Sequence, residues 1–327
     1  MTSRKFLMSL CILSALGSAG AAVWAQSGAS AGSAGSSDAF VPPRTPWGDP
    51  DLQGVWDYRT ITPLERPAQY GDREYYSDEE IAELEGKANA RMENPPDENT
   101  PANLVHAQYM TDPGTKIDES HRTSLIIDPK NGRMPELTAT AQQARGRGRG
   151  NATVDPDQPW RARSMLERCI TYGMPNNILP GLYNNNIEIV QGPDHVAIIH
   201  EMVHDTRMVP LDGSDFSGVG GYLGESRGHW EGNTLVVETR NFNGETSWRG
   251  AGGNLRLTER YTLIAKDRID FRMTIEDDTQ WVRPFTVAYL MRPTDGQIYE
   301  YACHEGNYGL RNILENQLQE ASAGGGA

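Results

Sequence analysis

The chain has 327 residues, 37% of them hydrophobic, and carries a formal net charge of −14. That length supports one large domain or two small ones. The acidity repels nucleic-acid phosphates and anionic lipid headgroups, which excludes both as partners.

Arg4 and Lys5 open the chain with a short basic region, Phe6 to Leu16 is apolar, and Val23-Trp24-Ala25 offers a small-x-small cleavage site. Residues 1–25 therefore read as a secretory signal, and the mature protein is expected to be periplasmic or secreted. The apolar run is shorter than the roughly 20 residues of a membrane span, so no stable membrane insertion is expected. An uncleaved N-terminal anchor is the alternative. Residues 26–39 are Gly, Ala and Ser with little else, which predicts a disordered leader.

Residues 40–320 read as a single β-barrel domain carrying a large insertion at 60–182, with 321–327 as a disordered tail. Gly54 to Tyr58 predicts a first short strand between prolines. Ser77 followed by Glu80 forms a capping box, and Ile81, Leu84, Ala88 and Met92 recur at helical spacing until Asn94-Pro95-Pro96. Arg122 to Asp128 reads as a strand closed by an Asp-Pro turn, residues 138–158 as a polar Gly-rich loop, and Arg161 to Tyr172 as a short helix. The basic run Arg145-Gly-Arg147-Gly-Arg149 lies in that loop and reads as a solvated surface.

The second half is different. Ile187 to Val190 and His195 to Val209 predict a hairpin, followed by strands over Trp230–Val237, Leu255–Ala265, Ile269–Glu276, Val282–Met291 and Ile298–Cys303. Tight turns at short spacing predict an antiparallel meander that closes or nearly closes. Leu255, Leu257, Tyr261 and Leu263 alternate with Arg256, Thr258, Arg260 and Thr262, and Glu259 is the one charge on the apolar face. Leu310, Ile313, Leu314 and Leu318 predict a final helix. Cys169 and Cys303 are the cysteines beyond the signal, and an oxidising compartment invites a bridge between them.

Gly54-Val55-Trp56 resembles the Gly-x-Trp that opens the first strand of the lipocalin-like (calycin) barrels. The resemblance implies a Trp closing one barrel end, with Arg283 or Arg292 stacked on it, and a side-chain-lined cup for a small, partly apolar ligand. The whole chain also resembles a group of secreted bacterial proteins, which implies location and no chemistry.

His200-Glu201-Met202-Val203-His204 fits the H-E-x-x-H zinc-hydrolase pattern. On a helix both histidines would reach one zinc ion, with Glu225, His229 or Glu231 as third ligand. The surrounding Val and Ile favour a strand, on which His200 and His204 would stand about 13 Å apart. Zinc, held by His200 and His204, is therefore the alternative to a cofactor-free protein.

Polar residues at strand ends can converge on a barrel mouth. His204, His229, His304, Glu305 and Glu259 are the candidate acid–base groups. Arg207, Arg227, Arg249, Tyr183, Asn185, Asn307 and Tyr308 are the candidate substrate-binding groups. Residues 213–221 read as a lid over the barrel mouth or as a plain linker. No phosphate-binding loop and no Gly-x-Ser-x-Gly elbow occurs. The expectation is a barrel that binds a small organic molecule and processes it by acid–base chemistry of lyase, isomerase or hydrolase type. A non-catalytic periplasmic ligand binder and a zinc metallohydrolase are the alternatives. A cup lined by aromatic residues would favour the binder, and His, Glu and Arg within hydrogen-bond reach of one another would favour the enzyme.

Overall fold

The computed structural model describes residues 40–93, 111–146, 158–245 and 248–324. The signal, the leader, the 321–327 tail beyond Gly324, and Arg147 and Arg149 fall outside these residues.

Ten strands carry the fold: β1 (Gly54–Asp57), β2 (Ile126–Asp128), β3 (Asn186–Gln191), β4 (His195–His200), β5 (Thr206–Pro210), β6 (Glu225–Glu231), β7 (Thr234–Arg240), β8 (Arg256–Ala265), β9 (Arg268–Glu276) and β10 (Phe285–Pro293). Among the described residues three α-helices accompany them: α1 (Asp78–Glu93), α2 (Ala139–Gly146) and α3 (Tyr308–Gly324).

Nine strands pair antiparallel in the order β5-β4-β3-β1-β10-β9-β8-β7-β6, and β2 adds to β10. Apart from β2 and the β1–β10 pair, which joins the first strand to the last, each neighbour in space is a neighbour in sequence, which is an up-and-down meander. Nine strands cannot alternate direction all the way round a ring, so β5 and β6 run the same way where the ring meets. They lie side by side without ladder hydrogen bonds, and side chains fill the seam. A Cβ on Gly228 of β6 would come within 2.7 Å of Val209 Cγ1 and 2.8 Å of Leu211 Cδ2. Glycine is what lets the two strands approach.

The strand alternation buries one face. Leu257, Glu259, Tyr261 and Leu263 of β8 point inward, as do Ile269, Phe271, Met273 and Ile275 of β9 and Phe285, Val287, Tyr289 and Met291 of β10. Tyr58, Tyr289, Phe271 and Tyr261 form a ladder of rings with successive centroids 5.9, 4.9 and 4.9 Å apart. The inside is thus occupied by packed side chains where the lipocalin-like resemblance implies a cup.

The two ends of the ring differ. At one end the turns are tight, at residues 192–194, 232–233 and 266–267. The other carries the insertion between β1 and β3 and the segments 201–205, 241–255 and 277–284. The capping box forms as expected: Ser77 N–H donates to Glu80 Oε2 at 2.8 Å and Glu80 N–H to Ser77 Oγ at 3.3 Å. The helix it opens, α1, is only half-buried and is held by Glu85, which accepts from Ile117 N–H and Lys116 Nζ.

Several expectations need correction. The single strand over 195–209 is two strands, split by a turn at 201–205. Trp230–Val237 is likewise divided between β6 and β7, with Gly232 in the turn at φ 62°. The helix over 161–172 shrinks to a 3₁₀ turn at Pro159–Ala162. Ile298–Cys303 is no strand but a strap, because β10, from which it emerges, already has β9 and β1 on its two edges. Neither Arg283 nor Arg292 stacks on Trp56. Arg283 binds Asp128 and Arg292 binds Glu119 on the outer surface, while the Trp56 indole N–H donates to Leu52 O at 2.9 Å.

Candidate functional site

Inside the ring a charged cluster is fully enclosed. Arg207 of β5 and Glu259 of β8 form two hydrogen bonds of 2.5 and 2.9 Å, with side chains 2% and 0% exposed. Tyr261 OH donates to Glu259 Oε1 at 2.9 Å, and Arg207 reaches Thr239 Oγ1 at 3.4 Å. Arg207 Nε–H donates to His200 Nε2 at 3.3 Å. Arginine can only donate, so His200 Nε2 accepts and its Nδ1–H donates to Asn177 O at 2.9 Å. Burial first, and the Arg207 charge second, push the His200 pKa down to about 3. The imidazole is neutral with both nitrogens occupied, and Glu259 is committed to its partners.

The turn after His200 is backbone-strained. Val203 and His204 have φ of 59° and 54°, a left-handed conformation unfavourable for β-branched valine. Such strain costs about 1–3 kcal/mol per residue and persists only where surroundings hold it. Asp205 supplies the hold: its Oδ2 accepts from Thr171 Oγ1 at 2.6 Å, Tyr172 N–H at 3.0 Å and Asn177 Nδ2 at 2.6 Å. The turn places Glu201 outside the ring, on the wall of a cleft.

This cleft encloses about 840 Å³ and is walled by Tyr183, Asn184, Glu201, Tyr299, Tyr301 and Asn307, with Leu310 and Ile313 of α3. The strap is fixed by the Cys169–Cys303 disulfide, Cα–Cα 5.6 Å, and by His204 Nε2 accepting the Tyr301 N–H at 2.6 Å. An inner chamber of about 190 Å³ shares Leu166, Tyr183 and Asn184 with the cleft and adds Tyr58, Tyr172, Asn177 and Met202. Burial raises the Tyr301 hydroxyl to about 12, helped by Tyr183, and moves Tyr172 in the same direction. Burial likewise pushes the Glu201 carboxyl above its usual range, opposed by hydrogen bonds from Asn186, whose Nδ2 lies 2.8 Å from Oε2.

The expected site residues are scattered. Tyr183 and Asn307 line the cleft, and His204 anchors its strap. Asn185 lines the inner chamber and is held as a turn residue, accepting from Gly181 N–H and donating to Asp112 O. His304, Glu305 and Tyr308 are exposed around the start of α3. His229 is half-exposed on the outer surface, 3.3 Å from Glu231, because position 229 falls on the solvent side of β6. Arg227 is on that side too and binds Glu225 at 2.7 Å. Arg249 lies over Trp248 and lines a different cavity, of about 800 Å³, beside α2. Glu259 and Arg207 are sealed in the core. The expected convergence of His229, His304, Glu305 and Glu259 on one mouth does not occur.

The H-E-x-x-H helix does not form either. His200 ends β4 facing inward, and the left-handed turn sends His204 to the strap. Among the described residues no three His, Cys, Asp or Glu side chains are grouped as a metal site needs. The residues that sequence reasoning passed over are Tyr172, Tyr299, Tyr301 and Asn177, with Glu201 read only as part of the zinc pattern. A signal existed: Tyr172 and Tyr301 sit three residues after Cys169 and two before Cys303, so pairing the cysteines brings the tyrosines together.

The loop at 211–224 is pinned. Phe216 lies under Arg240, 3.6 Å from its centroid, and Glu225 accepts from Ser217 and Gly218 N–H and from Asn241 Nδ2. These hydrogen bonds hold the Glu225 carboxyl down at about 2. No family model matches the sequence, and comparison with characterised proteins gives no match.

Proposed function

We propose that this is an exported, non-catalytic binding protein for a small, partly apolar organic molecule, held in the strap cleft. The observation that carries the reading is the cleft wall itself: tyrosines and amides with the carboxylates of Glu167, Glu201 and Glu300, and, among the described residues, no histidine or arginine in the lining. Small-molecule pockets have this make-up, an apolar and aromatic lining with a few orienting polar groups. The Cys169–Cys303 bridge supports an oxidising compartment, because disulfides persist there. Among the described residues no helix is long and apolar enough to cross a membrane.

The test is a thermal-shift screen of the purified chain against small metabolites of every charge type. Hits should raise the melting temperature by several degrees in the parent and not in Tyr183→Ala or Tyr301→Ala. A screen without hits, or hits indifferent to both substitutions, overturns the reading. One observation favours a second reading: the raised Glu201 carboxyl is suited to proton transfer. Consumption of a hit by the parent, abolished in Glu201→Gln with binding retained, would establish acid–base turnover in its place.

A further inference from the structure

The two adjacent chambers also carry information about ligand charge. Glu201 and Glu300 stand on the wall of the outer cleft, and Glu167 joins them with Arg163 3.5 Å away. Among the described residues no lysine or arginine side chain lines either chamber. The nearest cation acting on Glu201 is Arg59, which is already divided between Asp57 and Asp112. The faces of Tyr183, Tyr299 and Tyr301 offer an electron-rich surface to a cation.

The second observation lies in the inner chamber. Asn177 is 1% exposed. Its backbone N–H donates to Gly173 O, and its carbonyl accepts from Tyr58 OH and His200 Nδ1–H. Its Nδ2 donates to Asp205, which fixes the amide orientation. Oδ1 is left buried with no donor. A buried acceptor without a partner costs about 1–3 kcal/mol, and a ligand N–H supplies what is missing. The other buried unpaired side-chain atoms belong to Arg66, Arg163, Arg227, Trp230 and Gln317, none of which lines either chamber.

We infer that the cleft is selective for small primary or secondary organic amines, the ammonium head donating to Asn177 Oδ1 in the inner chamber and the apolar body packing among the tyrosines under the carboxylates. This rests on the strap cleft being the ligand site.

Four phenylalkyl probes that differ in their head group test it on the full mature chain by calorimetry at neutral pH: 2-phenylethylamine, its trimethylammonium analogue, 3-phenylpropanol and 3-phenylpropionate. The amine should bind at least tenfold more tightly than the alcohol, and the propionate should bind most weakly. The trimethylammonium probe, which has no N–H, should fall between amine and alcohol. Glu201→Gln should lower the amine affinity several-fold and leave the alcohol unchanged. Asn177→Ser should erase the advantage of amine over trimethylammonium, and a melting curve of that variant checks that it still folds. Alcohol binding as tightly as amine would overturn the amine selectivity while leaving the cleft as a ligand site. Failure of all four probes to bind would overturn both.

Discussion

The ring interior and the strap cleft handle buried polarity in opposite ways. Inside the ring, Arg207, Glu259, Tyr261, His200 and Thr239 satisfy one another, and no site is left for a ligand. At the cleft, a desolvated carboxyl, raised tyrosine hydroxyls and the unpaired Asn177 Oδ1 remain. The lesson concerns where to look for function. A charge deep in a barrel marks architecture when its partners close the network, whereas an unfinished network beside a cavity marks a place for another molecule.

The largest expected effect comes from breaking the closed network. Arg207→Met removes the ion-pair partner of Glu259 in the core and should cost about 3–5 kcal/mol in urea unfolding. The double change Arg207→Met with Glu259→Leu should recover most of that loss, because it removes both charges together. A double variant no better than the single one would contradict this account of the cluster.

Replacing both bridge cysteines by serine addresses the other region. The bridge joins residues 134 apart in sequence, and its loss should lower global stability by about 2–4 kcal/mol. The far-UV β spectrum should persist, since the ring does not use the strap, while ligand binding in the cleft should disappear. Binding retained without the bridge would show that the strap does not shape the cleft.

A graded effect, small for each unit of pH, is expected from His200. Its folded-state pKa is depressed to about 3, so the unfolded chain binds a proton that the folded chain refuses. The contribution is complete above the unfolded value near 6.5 and should fall by about 1.4 kcal/mol per pH unit as the pH drops from there toward 3. His200→Gln should flatten the stability profile between pH 6 and 4 relative to the parent. Superimposable slopes would place the acid sensitivity elsewhere.

Much of the ring was legible because period-two alternation and tight turns are local signals. Leu257, Tyr261 and Leu263 announce β8 without any knowledge of its partners, and Ser77 with Glu80 announces α1. The break between β4 and β5 was not legible. Residues 196–209 are rich in β-branched residues throughout, and the turn is imposed by Asp205 binding Thr171 and Asn177, contacts between distant parts of the chain. The same limit applies to the site. Sequence reveals which residue types can do chemistry, but the solvent side of β6 and the inner side of β8 separate His229 from Glu259 by the wall of the barrel. Tyr183 and Asn307 were recognisable as polar or aromatic residues beside strand and helix ends. Asn177 carried no signal, since its meaning lies in one oxygen left over after four other hydrogen bonds are made.

The glycine in the middle of β6 has an effect beyond packing. Sheet margins are dangerous because their free amides and carbonyls can template another chain. Here the two margins face each other without ladder hydrogen bonds, and Val209 and Leu211 pack over residue 228. A bulky substitution there would part them, freeing both margins in one event. Self-association under mildly destabilising conditions would then begin at this join and involve two strands at once.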